Sequence, residues 1–279
     1  MPGSRTAMTQ NAKPGSSLYR LLAWLSPSFP TGAFSYSHGL EAAVAADDVR
    51  DRASLENWVA SVVARGSGRI DADILCEAYR VAAADDRAGF DAANRRGVAF
   101  RATAELALEA AQQGEAFMRT CRAAWQAPFL RSAILNPHPS PPPLAGEGAD
   151  GTATSNFPLP PSLPSPASGG GQGGGETAPE HVCHSAAFGA AAACAGIALE
   201  DALVGYLQAF AANLVSAGLR LGIIGQTDGQ RIMAALEPVV AGAADAAMTR
   251  DPADFGGATF AVDLASMAHE TQYTRLFRS

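Results

Sequence analysis

The chain has 279 residues and a net charge of −7, and 48% of its residues are hydrophobic although only 7% are aromatic. An acidic chain without a basic stripe is not expected to bind nucleic acid, whose phosphates require clustered arginine and lysine. Lys13 is the only lysine, which excludes a Walker A loop and a Schiff-base enzyme because both need a lysine within the folded protein.

The first segment, residues 1–16, is polar and lacks the apolar run of a signal peptide, so it predicts a disordered leader. The four cysteines contain no C-x-x-C pair, which argues against a disulfide framework and a zinc ribbon. They are Cys76, Cys121, Cys183 and Cys194. We therefore expect a protein of the reducing cytoplasm that does not enter a membrane.

Residues 26–41, SPSFPTGAFSYSHGLE, combine two prolines, two glycines and a histidine between helix-like runs. Ser35 and Ser37 beside His38 are residue types of a hydrolase, but the G-x-S-x-G elbow is missing. The alternative is a rigid turn in which Ser35 or Ser37 caps a helix that carries Glu41. The turn accounts for more of the polar residues, so we expect no catalytic residue and no enzyme activity.

The next stretches repeat apolar residues at helical spacing. Residues 54–65 predict an amphipathic helix with Ser54 as N-cap, and the same pattern follows Asp71. A longer helix is predicted over 106–125, ending before Pro128. Because alternating strand patterns are missing, we predict an all-α fold, a bundle of closely packed helices.

Residues 136–180 hold 11 prolines and 9 glycines and hardly any apolar side chain. Such a composition cannot bury enough surface to offset its ordering entropy, which predicts a disordered insert. The expected organisation is therefore a leader at 1–16 and one helical domain at 17–279, interrupted by the insert at 136–180.

A close group of metal-ligand types, HVCH, follows the insert. His181, Cys183 and His184 suit nickel, copper or zinc, but a closed zinc site needs about four ligands and the sequence shows no distant partner set. We expect no metal site and no cofactor, and keep these three residues as candidates for an alternative in which the protein carries nickel directly.

The second half predicts further helices. The uncharged residues 185–199 are too few to span a membrane and predict a buried helix. An apolar stripe over 203–221, interleaved with small residues, predicts another helix. TDGQ at 227–230 fits a capping box and predicts a helix start, and Pro238 predicts a kink or a division into two helices.

The last segment, SMAHETQYTRLFRS, has no apolar period after His269. Chain ends usually fray, which makes a solvated tail the simplest interpretation. Tyrosine and arginine, however, are the residues favoured at the energetic centres of protein interfaces. Both interpretations remain open from composition alone.

Three stretches, in this order and spacing, resemble the UreF family of urease accessory proteins. They are LLAWLSPSFPTGAFSYSHGLEAAV near the start, AFAANLVSAGLRLGIIGQTDGQRIMAALEP in the second half, and SMAHETQYTRLFRS at the end. The resemblance covers residues 18–279 apart from the insert. It implies an all-α fold of about ten helices, usually a homodimer, without enzyme activity or cofactor.

The resemblance also implies partners. Proteins of this family bind the accessory protein UreD, also called UreH, recruit the GTPase UreG, and help deliver nickel to apo-urease. The partner-binding residues that the resemblance implies lie in the opening motif, the central motif and the tail. They are Pro30, Gly32, Phe34, Tyr36, His38, Gln226, His269, Glu270, Gln272, Tyr273, Arg275, Leu276, Phe277 and Arg278. In the family the tail becomes ordered through contact with a partner.

The chain departs from the family pattern in three places. Ala268 stands where a basic residue is usual, which removes a possible charged contact. Ile223 and Ile224 replace a common proline and leucine, a change that we expect to alter only packing. The insert at 136–180 is foreign to the pattern, so we expect it to have no part in urease maturation.

Overall fold

A computed structural model describes residues 15–125 and 181–279, and these residues are helical without a β-strand. The ten α-helices of the described residues are α1 Ser16–Trp24, α2 Leu40–Ala45, α3 Arg52–Arg65, α4 Ser67–Ala83, α5 Arg87–Ala99, α6 Ala104–Ala124, α7 His184–Ala195, α8 Leu199–Arg220, α9 Gln226–Thr249 and α10 Phe260–Glu270. Two short 3₁₀ turns are Ala33–Ser35 and Pro252–Asp254. The all-α prediction is confirmed.

Two predicted segments fall on parts of the chain that the structure does not describe. The insert at 136–180 lies outside the described residues, and so does the leader except for its last two residues. Of these two, Ser16 already belongs to α1. The predicted disorder of both segments therefore stays a prediction.

The helix α3 begins at Arg52, two residues earlier than predicted, and Ser54 is not its N-cap. Asp51 is the N-cap, and its carboxylate accepts the Ser54 N–H at 2.8 Å while the Ser54 hydroxyl accepts the Asp51 N–H at 3.1 Å. This reciprocal pair is a capping box, and its hydrogen bonds lower the pKa of Asp51. The sequence prediction correctly assigned Ser54 to the capping of α3, but Ser54 is the third residue of the helix rather than its N-cap.

The centre of the bundle is α7, the predicted buried helix, which ends at Ala195 rather than at residue 199. Small residues allow its backbone to approach α4 and α6. A Cβ atom on Gly189 would lie 2.5 Å from the carbonyl oxygen of Leu75, and one on Gly114 would lie 1.9 Å from that of Val182. The alanine-rich composition thus serves close packing of helices, as predicted.

The helix α8 matches the predicted stripe, whereas α9 differs from the sequence prediction at its capping and at Pro238. It begins one residue before Thr227, with Gly225 as N-cap and no side-chain capping bond, so the threonine lies inside the first turn and the predicted capping box does not form. Of the two alternatives predicted at Pro238, the division into two helices is wrong, because the helix runs through the proline. The buried side chains of Leu236 and Val240 hold α9 against the core on both sides of the proline, which offsets the lost hydrogen bond.

Two of the described helices, α8 and α9, are long and apolar enough to cross a membrane by length and composition. Core helices of globular proteins meet the same criterion, so this is weak evidence for a span. In the most apolar stretch of α8, 50% of the residues are buried within the bundle, and in that of α9, 28% are.

Candidate functional site

The tail, residues 269–279, lies against the loop segment 35–41, although more than 220 residues separate them in sequence. The Arg278 N–H donates to the Ser35 carbonyl at 2.8 Å, and the Ser37 N–H donates to the Ser279 carbonyl at 2.8 Å. We call residues 35–41, together with Glu105 and Glu109 of α6, the tail seat. The tail is therefore bound to the loop segment by hydrogen bonds within the chain.

Glu41 is the central acceptor of the tail seat. Its carboxylate accepts the backbone N–H groups of Leu276 at 2.6 Å and Phe277 at 2.9 Å, and it lies 3.1 Å from Nε2 of His269. Glu41 is only 7% exposed. Hydrogen bonds to a charged acceptor in such surroundings are among the stronger ones in proteins, so one carboxylate holds the tail at His269 and again at Leu276 and Phe277.

His269 lies between two carboxylates. Its Nδ1 atom is 2.6 Å from Oε2 of Glu105, while Nε2 faces Glu41, and the side chain is fully buried. The guanidinium of Arg275 donates to the other oxygen of Glu105. The histidine thus connects α2, α6 and α10 at one point.

The last residue of α10 caps another helix. The Oε1 atom of Glu270 accepts the N–H groups of Ala104 at 2.9 Å and Glu105 at 3.3 Å, which are unpaired donors of the first turn of α6. The hydroxyl of Thr103 accepts the Leu106 N–H at 3.2 Å. A carboxylate at a helix N-terminus is stabilising, so Glu270 attaches the end of α10 to α6.

His38 and Gly39 form a tight turn with left-handed backbone at both residues, with φ of 58° and 77°. The His38 ring lies 3.3 Å from Glu109 and 2.5 Å from the Ser67 hydroxyl. A Cβ atom on Gly39 would lie 2.9 Å from the backbone nitrogen of Ser266. Both the φ angle and the approach of α10 therefore require glycine at this position.

The pairing of Ser35 or Ser37 with His38 that the hydrolase alternative needs does not form, because the Ser37 hydroxyl donates to the Ser279 carbonyl and the His38 ring faces Ser67 and Glu109. Ser37 also accepts the Glu41 N–H at 3.3 Å, but Gly39 is the N-cap of α2 and has no side-chain capping bond, so the prediction that Ser35 or Ser37 is the N-cap is wrong. Ser67, His38 and Glu109 follow one another at hydrogen-bond distance. His38 is only 3% exposed, so these three side chains form a buried hydrogen-bond network that connects the loop to α4 and α6.

The predicted partner-binding residues divide into buried and accessible groups. Those buried in the fold are Tyr36, His38, His269 and Phe277. Those that are exposed are Pro30, Phe34, Gln226, Glu270, Tyr273, Arg275, Leu276 and Arg278, with Gly32 and Gln272 half-buried. A buried side chain meets a partner only if the tail leaves its seat, so the exposed group carries the partner-binding prediction.

One feature of this region was missed in the sequence. The solvent face of α10 presents Phe260, Leu264 and Met267, which are 79%, 65% and 48% exposed. Their spacing of four and three residues places them on one side of the helix, opposite the buried Val262 and Ser266. The sequence FAVDLASM indicates this exposed face, since it places one apolar stripe at Phe260, Leu264 and Met267 and a second apolar position at Val262 on the opposite side.

The three candidate metal ligands, His181, Cys183 and His184, contact different neighbours. Nδ1 of His181 is 2.5 Å from Oε1 of Glu115, and the buried Cys183 thiol has its pKa raised by burial. His184 packs against the ring of Phe117, and burial lowers its pKa to about 4. Among the residues that the structure describes, no three His, Cys, Asp or Glu side chains form a group able to hold a metal ion.

Comparison with known proteins gives a consistent result. A sequence model of the UreF family matches residues 49–237, which leaves out the loop and the tail. The urease accessory protein UreF of Rhodopseudomonas palustris strain TIE-1 is 40% identical over 96% of this chain and 95% of its own length. Those of Granulibacter bethesdensis and Azorhizobium caulinodans are 42% and 41% identical over 95% and 98% of this chain, and 94% and 99% of their own lengths.

Proposed function

Since the chain belongs to the UreF family of urease accessory proteins, we propose that it is a non-enzymatic scaffold of urease maturation. In this proposal it binds UreD (UreH) and recruits the GTPase UreG, and the assembled complex inserts nickel into apo-urease. A chain whose single lysine precedes Pro14 has no Walker A loop, so the GTP chemistry belongs to the partner. We also propose a cytoplasmic location and a homodimer.

The observation that carries the proposal is the tail seat. Buried anchors at His269 and Phe277 hold the tail backbone, while Tyr273 is completely exposed and Leu276 is 63% exposed. The Arg220 guanidinium lies 4.3 Å from the centre of the Phe277 ring and donates to the Phe34 carbonyl, which joins loop and tail. A surface held in place in this way loses little conformational entropy on binding, which favours recognition by a partner.

The test removes exposed side chains without touching the anchors. The double variant Tyr273→Ala, Leu276→Ala is expected to reduce capture of UreD (UreH) and UreG at least tenfold in pull-down, since interface hot spots contribute about 2 kcal/mol each. The matched control is Leu18→Ala, Tyr19→Ala, which removes the same residue types from an exposed position on α1. Unchanged capture by the tail variant, with helical content intact, would refute the tail assignment.

The insert provides an independent test. We propose that residues 137–179 have no part in maturation, so their excision is expected to leave urease activation in cells unchanged. Loss of activation by a variant that still folds would show that the insert has a function of its own. Light scattering coupled to size-exclusion chromatography tests the proposed homodimer with the same preparations.

Direct nickel carriage through His181, Cys183 and His184 is the less supported alternative, because these side chains do not converge. Equilibrium dialysis against nickel compares the wild-type chain with a variant in which all three are alanine. Equal nickel uptake by both is the expected result, and loss of a bound nickel ion in the folded variant would favour the carrier.

A further inference from the structure

A cavity of about 500 Å³ lies beneath the proline-containing loop at 25–34. Helices α6 and α8 form its walls, and Asp71, Arg101 and His184 line it as well. Protein interiors contain few voids larger than a water molecule, whereas small-molecule sites are of this size. The volume therefore exceeds what a packing defect explains.

Every charged side chain that lines the cavity is already bonded within the protein. Arg101 donates to Asp71 at 2.6 Å, and both are buried. Burial alone would raise the pKa of Asp71, but the neighbouring guanidinium lowers it overall, so the pair stays charged. Glu109 accepts from Gln113 at 3.0 Å and lies 3.3 Å from His38. No unpaired charge remains in the lining to attract an ion.

The ring groups of the lining that have no hydrogen-bond partner among the described residues are the indole N–H of Trp24, the hydroxyl of Tyr206 and the imidazole of His184. Tyr206 is only 5% exposed, and its ring centre lies 5.3 Å from that of His184. Burial raises the pKa of Tyr206 and lowers that of His184 to about 4. At neutral pH they are a phenol and a neutral imidazole, which together offer donors and an acceptor.

Aromatic side chains complete the lining. Trp24, Phe29, Phe34 and Phe210 all contribute to the cavity, and the first is buried in the core. Buried polar groups in native proteins nearly always have a partner, so the unpaired indole N–H of Trp24, beside the phenol and the imidazole that face the cavity, indicates a ligand that satisfies these groups. The aromatic faces favour a ligand that is itself flat and largely apolar.

We propose that the cavity is a binding site for a small, uncharged, planar molecule with an amide group. The carbonyl oxygen of the ligand accepts from the Tyr206 hydroxyl, and its N–H donates to the unprotonated nitrogen of His184. This site goes beyond the scaffold role and is independent of which partner binds the tail. A charged ligand would lose its hydration without gaining a free counter-charge.

The test uses three probes of nearly identical shape, namely benzamide, benzoate and benzamidine, in isothermal titration with the full chain. Benzamide is expected to bind saturably with a Kd of about 1 mM, a normal affinity for a ligand of this size. Benzoate and benzamidine are expected to bind at least about fivefold more weakly. Equal or tighter binding of either charged probe would overturn the assignment to a neutral ligand.

Two matched variants locate the binding. Tyr206→Phe removes the unpaired hydroxyl and is expected to weaken benzamide binding about fivefold, the value of one hydrogen bond. Tyr79→Phe removes a hydroxyl that donates to the Ile197 carbonyl at 2.8 Å outside the cavity, and it is expected to leave benzamide binding within about twofold of wild type. If no probe saturates, or if both variants bind benzamide like wild type, the cavity holds water only and the proposal is wrong.

Discussion

Replacing Glu41 by glutamine tests whether one carboxylate holds the tail in its seat. The variant Glu41→Gln keeps the shape of the side chain but replaces one of its two acceptor oxygens by an N–H₂ group. That group would face the N–H donors of Leu276 or Phe277, which now bond to the carboxylate at 2.6 and 2.9 Å. The contact between the Glu41 carboxylate and Nε2 of His269 at 3.1 Å is weakened at the same time.

The expected loss of free energy follows from the number of hydrogen bonds that Glu41 makes to the tail. A hydrogen bond to a charged group contributes about 1.5–3 kcal/mol, and the substitution removes one such bond and weakens a second, so the loss is about 2–4 kcal/mol. The tail opens locally rather than through global unfolding. An opening free energy reduced by 2–4 kcal/mol raises the open population at least about thirtyfold.

Hydrogen exchange measured by mass spectrometry reads this change directly in peptides that cover residues 271–279. Protection of the Leu276 and Phe277 amides is expected to fall at least about thirtyfold, whereas the core helices α4 and α7 keep theirs. The control is Glu56→Gln, which affects an exposed ion pair with Arg52 and is expected to change stability by less than about 0.5 kcal/mol. Unchanged protection of the tail amides in Glu41→Gln would refute the role of the carboxylate.

Three further predictions concern the fold around the site. Gly39→Ala is expected to lower the free energy of unfolding by at least about 2 kcal/mol in chemical denaturation. The control Gly32→Ala has the same φ of 77° but open space around it, so it is expected to lower the free energy of unfolding by only about 1 kcal/mol. Equal effects of the two substitutions would contradict the close approach of α10. Asp71→Asn leaves the buried Arg101 without its counter-charge and is expected to lower the free energy of unfolding by about 3–5 kcal/mol in the same assay. A decrease of less than about 1 kcal/mol would contradict the burial of this ion pair. The pKa of His184 is about 4 in the folded chain and 6.5 in the unfolded chain, so the unfolded chain binds more protons between these pH values. The free energy of unfolding is therefore expected to fall by up to about 3 kcal/mol as the pH drops from 6.5 to 4. If a folded His184→Gln variant shows the same pH dependence, His184 is not the cause of this loss.

Local patterns predicted the helices well because apolar spacing is a property of neighbouring residues. The stripes that became α3, α6 and α8 are examples, and their ends were misplaced by four residues or fewer. The errors have physical causes. Asp51 competes with Ser54 for the capping position, and Gly225 starts α9 before Thr227 is reached. A short capping motif cannot show which of two adjacent candidates the rest of the fold selects.

The tail seat was beyond prediction because its contacts join distant residues. Nothing in the spacing of charges shows that Glu41 meets His269, or that Glu270 caps α6. The tail was singled out for partner binding, which stays a prediction, but its contacts with Glu41 were not foreseen. The cavity was not predicted either, since Asp71 and Tyr206 come together only when α4 packs beside α8.

The tail seat also fixes the order in which the protein is completed during synthesis. Glu41 leaves the ribosome 235 residues before Leu276, the residue whose amide it binds. At typical bacterial elongation rates this interval lasts about 10–50 s. Throughout that time Glu41 and the first turn of α6 lack their final partners. The composite surface of loop and tail therefore forms only after residues 269–279 have emerged, so a partner that recognises this surface, as proposed, binds only after translation of the whole bundle.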